Sequence, residues 1–298
     1  MQTHSVISRF SSSESWSILS DIEQSIKAKI ESVGTPLKDW DIQINYGIKT
    51  GFNDAFIIDS IKRDEILGAC QSDDERQRTA EIIRPILRGR DIKRYDYEFA
   101  NQYIIATFPS RQYDIDEYQA LRKFLLSFGM ERLEQTGKEY IISGEKVKAR
   151  KKTNNKWFET QDNISYWDEF SQPKIIWKRV GSIIRFSYDE KGVLGLDSTC
   201  FATGTHIPYL CCVLNSSMGH YLLNNAPRTG TGDLLISVQA VEPVRIPLVS
   251  ENEEIFIELV NRAISDSSNN IDDEIDNIIF DLYGLNPEER EFIINNFR

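Results

Sequence analysis

No stretch of this 298-residue sequence approaches the roughly 20 consecutive apolar residues of a membrane-spanning helix; the apolar runs stay as short as Tyr209–Leu214. The opening residues, MQTHSVISRFSSSES, carry no apolar segment behind a basic flank and do not read as a secretory signal. Histidine is scarce: His4, His206 and His220 are the three, and none stands in an HExxH or other metal-ligand spacing. The four cysteines form no CxxC pair, since Cys211 and Cys212 are adjacent while Cys70 and Cys200 stand alone. That usage fits reduced thiols and a cytoplasmic setting rather than a disulfide framework. There is no GxxxxGK[ST] phosphate loop and no GxSxG elbow, which removes the simplest nucleotidase and hydrolase readings. Pro-Pro does not occur among the nine prolines. The run Asp189-Glu190-Lys191 precedes Gly192 and reads as a hairpin turn, not as a nuclease metal site.

What is present is a globular composition, with 40% hydrophobic and 27% charged residues, so wholesale disorder is excluded. The net charge of −11 argues at first against an anionic partner. Its distribution reverses the argument, because residues 242–298 hold 14 acids and 4 bases, leaving about −1 for the other 241 residues. Residues 140–192 instead hold 11 bases and 7 acids. A nucleic-acid footprint is a local patch, so a basic middle with an acidic end remains compatible with one.

The pattern predicts an α+β fold: a mixed, largely antiparallel sheet domain with flanking helices and a small helical C-terminal tail. Residues 1–13 read as a tail or linker, 14–248 as the main domain and 249–298 as the acidic helical segment. A helix over 20–32 is expected, capped by Ser20 with Glu23 in the capping-box position. Strands are expected at 42–48, 55–59 and 103–108. Short helices are expected at 64–70 and 74–83, and a long amphipathic one over 115–128. Residues 145–157 lack any hydrophobic period and read as an exposed loop. Three successive strands of a meander are expected in 173–204, then a helix over 209–224. The glycine run 228–233 reads as a flexible connection and 234–239 as a turn into a strand. Helices over 251–265 and 271–283, and a short one near Pro287, close the chain. Ile255, Leu259, Ile275, Ile278, Ile279 and Leu282 form their expected apolar stripes.

The remaining chemical signal is cationic. Lys146, Lys148, Arg150, Lys151, Lys152 and Lys156 put six cations in eleven residues, beside Trp157 and Phe158. Such a segment can neutralise phosphates and lay an aromatic or an arginine fork against bases; a solvated charge run is the plainer alternative. A second cluster, Arg84, Arg88, Arg90, Lys93 and Arg94, is interleaved with Ile and Leu and could instead brace a turn against Asp91 and Asp96. Lys178 and Arg179 follow the strand IIW, whose alternation sends one of the two outward whichever face is buried. Arg228 opens the glycine run.

These residues also carry a resemblance. INYGIKTGFNDAFIID (44–59), IIRPILRGRDIKRY (82–95) and YIIATFP (103–109) resemble the TaqI-like C-terminal specificity domain. That domain is the target-recognition part of type IIG restriction-modification enzymes and related adenine-N6 DNA methyltransferases. ARKKTNNKWFE, PKIIWKRV, YLCCVLNSSMGHYLL, SVQAVEPVRIPL and EIDNIIFDLYGLNPEEREFI are similar, in order, to its later segments. The resemblance spans about residues 14–298. Its enzymes methylate through an Asn/Asp-Pro-Pro-Tyr/Phe motif that this sequence lacks, and neither a glycine-rich S-adenosylmethionine motif nor a PD-(D/E)xK nuclease motif occurs.

The resemblance therefore implies a sequence-specific module for double-stranded DNA in a phage-defence system, with no catalytic residue and no cofactor on this chain. S-adenosylmethionine is expected on a methyltransferase domain, which with a nuclease domain would act in cis or in trans; no membrane partner is expected. The expected DNA-binding residues are Arg88, Arg90, Lys93, Arg94, Lys146, Lys148, Arg150, Lys151, Lys152, Lys156, Trp157, Lys178, Arg179 and Arg228. The acidic tail is expected to point away from DNA. The alternative is a protein-interaction adaptor of a restriction complex, with DNA contact secondary.

Overall fold

A computed structural model describes residues 19–249, 253–265 and 269–298; the expected 1–13 tail lies outside them. Alternating strand residues face opposite sides, and in this chain both sides are buried. In Lys174–Lys178, Ile175 and Trp177 enter one core cluster while Ile176 enters another. Thr199–Gly204 divides likewise, with Cys200 and Ala202 on one side and Phe201 on the other. The fold that follows is layered: helices, a first sheet, a second sheet, and helices again.

The first sheet has the order Phe186–Asp189, Lys174–Lys178, Thr199–Gly204, Ile42–Tyr46, antiparallel throughout. The second has the order Leu194–Gly195, Ile83–Leu87, Gln102–Ile105, Ile57–Asp59, with its first pair parallel. Ile48, Ile86, Ile104, Phe170, Ile176 and Phe201 fill the space between them. On the far side of the second sheet, Ile58, Ile83 and Ile105 pack with Ile66, Leu121, Leu125 and Leu133. The architecture is α+β with mostly antiparallel sheets, as the pattern predicts.

Several local expectations hold and several shift. The helix Asp21–Val33 is capped by Ser20 with the full capping box to Glu23. The helix expected over 64–70 starts earlier, at Ser60, because Asp59 accepts from the Lys62 N–H as its N-cap. The long helix expected over 115–128 is a 3-10 turn, Ile115–Glu117, followed by the helix Gln119–Leu126. The meander expected in 173–204 is not one. Leu194–Gly195 leaves for the second sheet, and Lys174–Lys178 lies between its two neighbours rather than at an edge. The helix expected over 209–224 breaks at Ser216, whose hydroxyl caps the second half, Ser217–Leu223. Residues 238–241 form a short helix rather than a strand.

Three C-terminal helices, Glu253–Ser265, Asn269–Leu282 and Pro287–Phe297, lie over the first sheet. Phe256, Leu259, Val260, Ile275, Ile279, Phe280 and Tyr283 share one core with Trp177, Phe186 and Tyr209. Ile255, expected on the buried stripe, is instead exposed. Asp276 accepts from the backbone N–H and the hydroxyl of Ser217, and Lys29 bridges to Glu289, tying the last helices to the body at two more points. Among the described residues no helix is long and apolar enough to cross a membrane.

Between the sheets Lys174 and Asp189 form an ion pair, both fully buried. Lys174 Nζ also donates to the Phe170 carbonyl at 2.7 Å. Asp189 accepts from Tyr97 Oη at 2.8 Å and from the backbone N–H groups of Lys191, Gly192 and Val193. The run Asp-Glu-Lys is thus a turn, as its position before Gly192 suggests. Burial pulls the Lys174 amine down while Asp189 opposes the shift. Lys174→Met leaves the carboxylate buried without its cation and should cost about 3–5 kcal/mol in urea unfolding. A loss below about 1 kcal/mol would show that the pair does not hold the two sheets together.

Candidate nucleic-acid interface

The first and second sheets meet at one turn, residues 195–199. The Ile48 N–H donates to the Gly195 carbonyl at 2.7 Å, Leu196 N–H to Leu87 O at 2.9 Å and Asp197 N–H to Ile48 O at 2.9 Å. On one side of this turn the 3-10 segment Gly89–Asp91 follows the strand Ile83–Leu87. The Gly89 N–H donates to Ser198 Oγ at 2.9 Å and the Arg179 N–H to Ser198 O at 2.9 Å. The stem of Lys178 crosses Gly89 so closely that a Cβ there would sit 2.8 Å from Lys178 Cγ. Two cation clusters far apart in sequence, 88–90 and 178–179, therefore share one surface.

Arg88 does not point freely from it. Its guanidinium and backbone N–H are held by Asp91 at 2.8–2.9 Å, which holds the arginine above its ordinary range. Arg90 and Lys178 are exposed, and neither makes an ion pair among the described residues. Arg179 lies 5.9 Å over the Tyr46 ring, and its Nε is buried without a hydrogen-bond partner. Tyr46 Oη donates to Gln239 Oε1 at 2.6 Å, so an arginine, a tyrosine and an exposed glutamine stand in a row. Arg228 joins them from the other side. Its segment bridges to Leu234, and Leu234–Leu235 pairs with Val180–Gly181 directly after Arg179. Within the glycine run Arg228 Nη1 donates to Gly232 O at 3.0 Å.

The segment 145–157 departs from the exposed loop expected. Glu145–Lys148 is a strand, paired with Glu139–Ile142 in a hairpin turned at Ser143 and Gly144, both with positive φ. The hairpin face carrying Glu139, Ile141, Lys146 and Lys148 is open, and Ile141 is 81% exposed. Glu139 pairs with Lys146 at 2.6 Å. Arg150 is buried: it donates to the carbonyls of Leu133, Thr50, Glu159 and Trp157 at 2.6–3.0 Å. Burial pushes it down to about 10, against the opposing pull of Glu159. It cannot reach a phosphate, and its role is to clamp four stretches of backbone.

Lys151, Lys152 and Lys156 are exposed, and Trp157 is half-buried edge-on against Phe158. Arg150, which precedes Lys151, donates to the Thr50 carbonyl at 3.0 Å, the Asp162 N–H donates to Lys49 O at 3.3 Å, and the Asp197 N–H of the turn donates to Ile48 O at 2.9 Å. These contacts bring the 151 region and the turn onto the same segment, residues 48–50. Arg94 is pinned elsewhere, donating to Asn215 O at 2.7 Å and to Asp272 at 2.5 Å. Lys93 faces Glu98 at 3.2 Å. The structure thus gathers Arg90, Lys178, Arg179 and Arg228 beside Arg88, with Lys151 adjoining. It leaves Lys146 and Lys148 on the hairpin and removes Arg94 and Arg150 into structural roles. Lys49, Tyr46 and Gln239 were not singled out as site residues from sequence; each is a lone residue whose neighbours come from distant segments.

What this surface offers chemically is positive charge and hydrogen-bonding groups. Cys200 and Cys211 are buried, and burial pushes both thiols up to about 12, far from a reactive thiolate. Among the described residues no three His, Cys, Asp or Glu side chains converge as metal ligands. Arg150→Met should leave buried carbonyls unpaired and cost at least about 3 kcal/mol in urea unfolding. The double variant Lys151→Ala/Lys152→Ala should stay within about 0.5 kcal/mol of the parent. Equal stabilities for the two variants would contradict this division between clamp and surface.

A family model, "TaqI-like C-terminal specificity domain", matches residues 84–237. Among solved structures, the type IIL restriction-modification enzyme MmeI in complex with DNA aligns at 12% identity and TM-score 0.54, covering 89% of this chain and 36% of that one. The type IIG restriction endonuclease BpuSI aligns at 13% identity and TM-score 0.54, covering 92% of this chain and 32% of that one. The chain spans about a third of the length of each, and at these identities the likeness is one of fold. No curated protein sequence matches the chain.

Proposed function

The chain belongs to the family of TaqI-like C-terminal specificity domains, and from that premise we propose that it recognises a specific sequence in double-stranded DNA for a restriction-modification system. The observation that carries the reading is the convergence of Arg90, Lys178, Arg179 and Arg228 on one surface without ion-pair partners among the described residues. Cations held apart from acids are available to phosphates, and each released counterion adds affinity. Arg179 and Gln239, standing against Tyr46, supply the two side-chain types that read guanine and adenine edges in the major groove. Lys151, Lys152 and Lys178 would set the register on the backbone.

In this reading the methyl transfer and any DNA cleavage belong to a methyltransferase or nuclease domain acting with this one, in cis or in trans. S-adenosylmethionine would be held there, and an adenine flipped out of the duplex would be presented to it. All four cysteines are free thiols, which fits a reducing cytoplasm. One observation favours an added protein contact: Ile255, Ile257 and Ile264 are exposed on the helix Glu253–Ser265.

The test is the salt dependence of duplex binding, with the unmodified chain and with Lys151→Ala/Lys152→Ala/Lys178→Ala/Arg228→Ala. Every phosphate that the variant no longer neutralises should flatten the log–log slope by about 0.9, so the quadruple variant should fall by about 3 units or more. Binding should weaken on cognate and random duplexes alike. An unchanged slope would sink the assignment of this surface. Calorimetric titration of the chain with S-adenosylmethionine should give no saturable heat, and saturable binding in the micromolar range would overturn the division between recognition and catalysis.

A further inference from the structure

The second sheet carries a cavity beside the start of the strand Ile83–Leu87. It has a volume of about 320 Å³ and lies between the helix Asp73–Ile82, the strand Ile83–Leu87 and the 3-10 turns Pro109–Arg111 and Trp167–Ser171. Three arginines line it, one from each of three elements: Arg78, Arg84 and Arg111. None of the three makes an ion pair among the described residues. Arg78 donates to the Glu117 carbonyl at 3.3 Å, while its Nε is buried without a hydrogen-bond partner. Arg84 donates to the Gly192 carbonyl at 3.2 Å. Arg111 lies over Trp167, its guanidinium carbon 3.9 Å from the ring centre, and Tyr118 also lines the cavity, with Arg78 at 6.0 Å from its ring.

We propose that this cavity binds a nucleotide, with the phosphate among Arg78, Arg84 and Arg111 and the base on the Arg111–Trp167 stack. A carboxylate offers one charge and two oxygens, which three guanidiniums exceed. A phosphomonoester carries a charge near −2 and three terminal oxygens, which match them. The remaining wall is aromatic and needs a flat partner; bases stack on aromatic and guanidinium planes whatever their identity. The volume lies at the lower end of the range for small-ligand sites, which excludes dinucleotide cofactors but admits a mononucleotide. Glu81, the acid in the lining, stands at the exposed rim as an acceptor for an exocyclic amine. The site is separate from the cationic surface of the turn, since Arg84 and Arg88 lie at opposite ends of one strand, about 13 Å apart at the rise per residue of a strand.

The same chemistry has two sources: a free mononucleotide, or one unstacked nucleotide of a DNA strand. The experiment is calorimetric titration of the full chain with adenosine 5′-monophosphate, adenosine and inorganic phosphate, followed by displacement with a short single-stranded oligonucleotide. Adenosine 5′-monophosphate should bind with Kd of about 1 mM or tighter, and adenosine and phosphate alone about 10-fold or more weaker. Arg111→Gln, at an exposed position, should weaken the monophosphate about 10-fold without shifting the melting temperature, and Arg78→Gln should do the same as a second, independent loss. Displacement by the oligonucleotide would make the ligand a nucleotide of a strand, and no displacement would make it a free one; both uphold the site. No saturable binding, or binding that both variants leave unchanged, would overturn it. Failure here would leave the salt-slope test of the turn surface standing, because none of its residues is altered.

Discussion

Two sheets packed face to face can share a turn only where the chain is approached more closely than a Cβ would allow, and three glycines supply that condition here. A Cβ on Gly47 would sit 2.0 Å from the Leu196 carbonyl oxygen, and one on Gly195 would sit 2.4 Å from Thr199 Oγ1. At Gly89 the obstacle is the Lys178 side chain itself. Because these approaches are open, the turn 195–199 can pair with Ile48 on one side and Leu87 on the other. The ends of both sheets then arrive at one surface, and with them the cations that follow each strand. Any larger residue at Gly47 would have to push the turn away and separate the two halves of the cationic surface.

The cations divide by what their environment supplies. Arg150 and Lys174 are fully surrounded and bound to carbonyls or a carboxylate; their charge is spent on architecture, and burial pulls both below their ordinary range. Arg94 fixes the turn after the helix Ile207–Asn215 and reaches Asp272, so the acidic C-terminal helices are locked onto the first sheet through one of the chain's basic residues. The exposed cations Arg90, Lys178 and Arg228 near the turn make no ion pair among the described residues. The net charge of −11 is thus consistent with a positive surface, since much of the acid is carried by residues 242–298 rather than by the turn and its neighbours.

Much of the framework was legible in the sequence because it is local. The capping box of Ser20 and Glu23, the alternation of KIIWK and the stop at Pro85 each depend on neighbours within a few residues. The motifs INYGIKTG and RPILRGRD carried the family likeness, and both lie where the glycines Gly47 and Gly89 permit the shared turn. What failed was non-local. The lysine-rich segment 145–157 shows no hydrophobic period because its strand pairs only with Glu139–Ile142 and buries little. Arg150 looks like its neighbours in sequence, and only the fold brings four carbonyls around it. The break at Ser216 falls in the polar run Asn215-Ser216-Ser217, which length and overall apolar content carried the expected helix across; the hydroxyl cap to Gly219 decides it.

The claim that the shared turn is the DNA-facing surface is tested most directly by hydrogen exchange of the chain with and without duplex DNA at low salt. The account predicts slowed exchange at the amides of 47–49, 89–91, 179–182, 196–198 and 228–235, with the C-terminal helices 253–265 and 269–282 unchanged. Protection confined to those helices, with the turn amides exchanging as in the free chain, would contradict it.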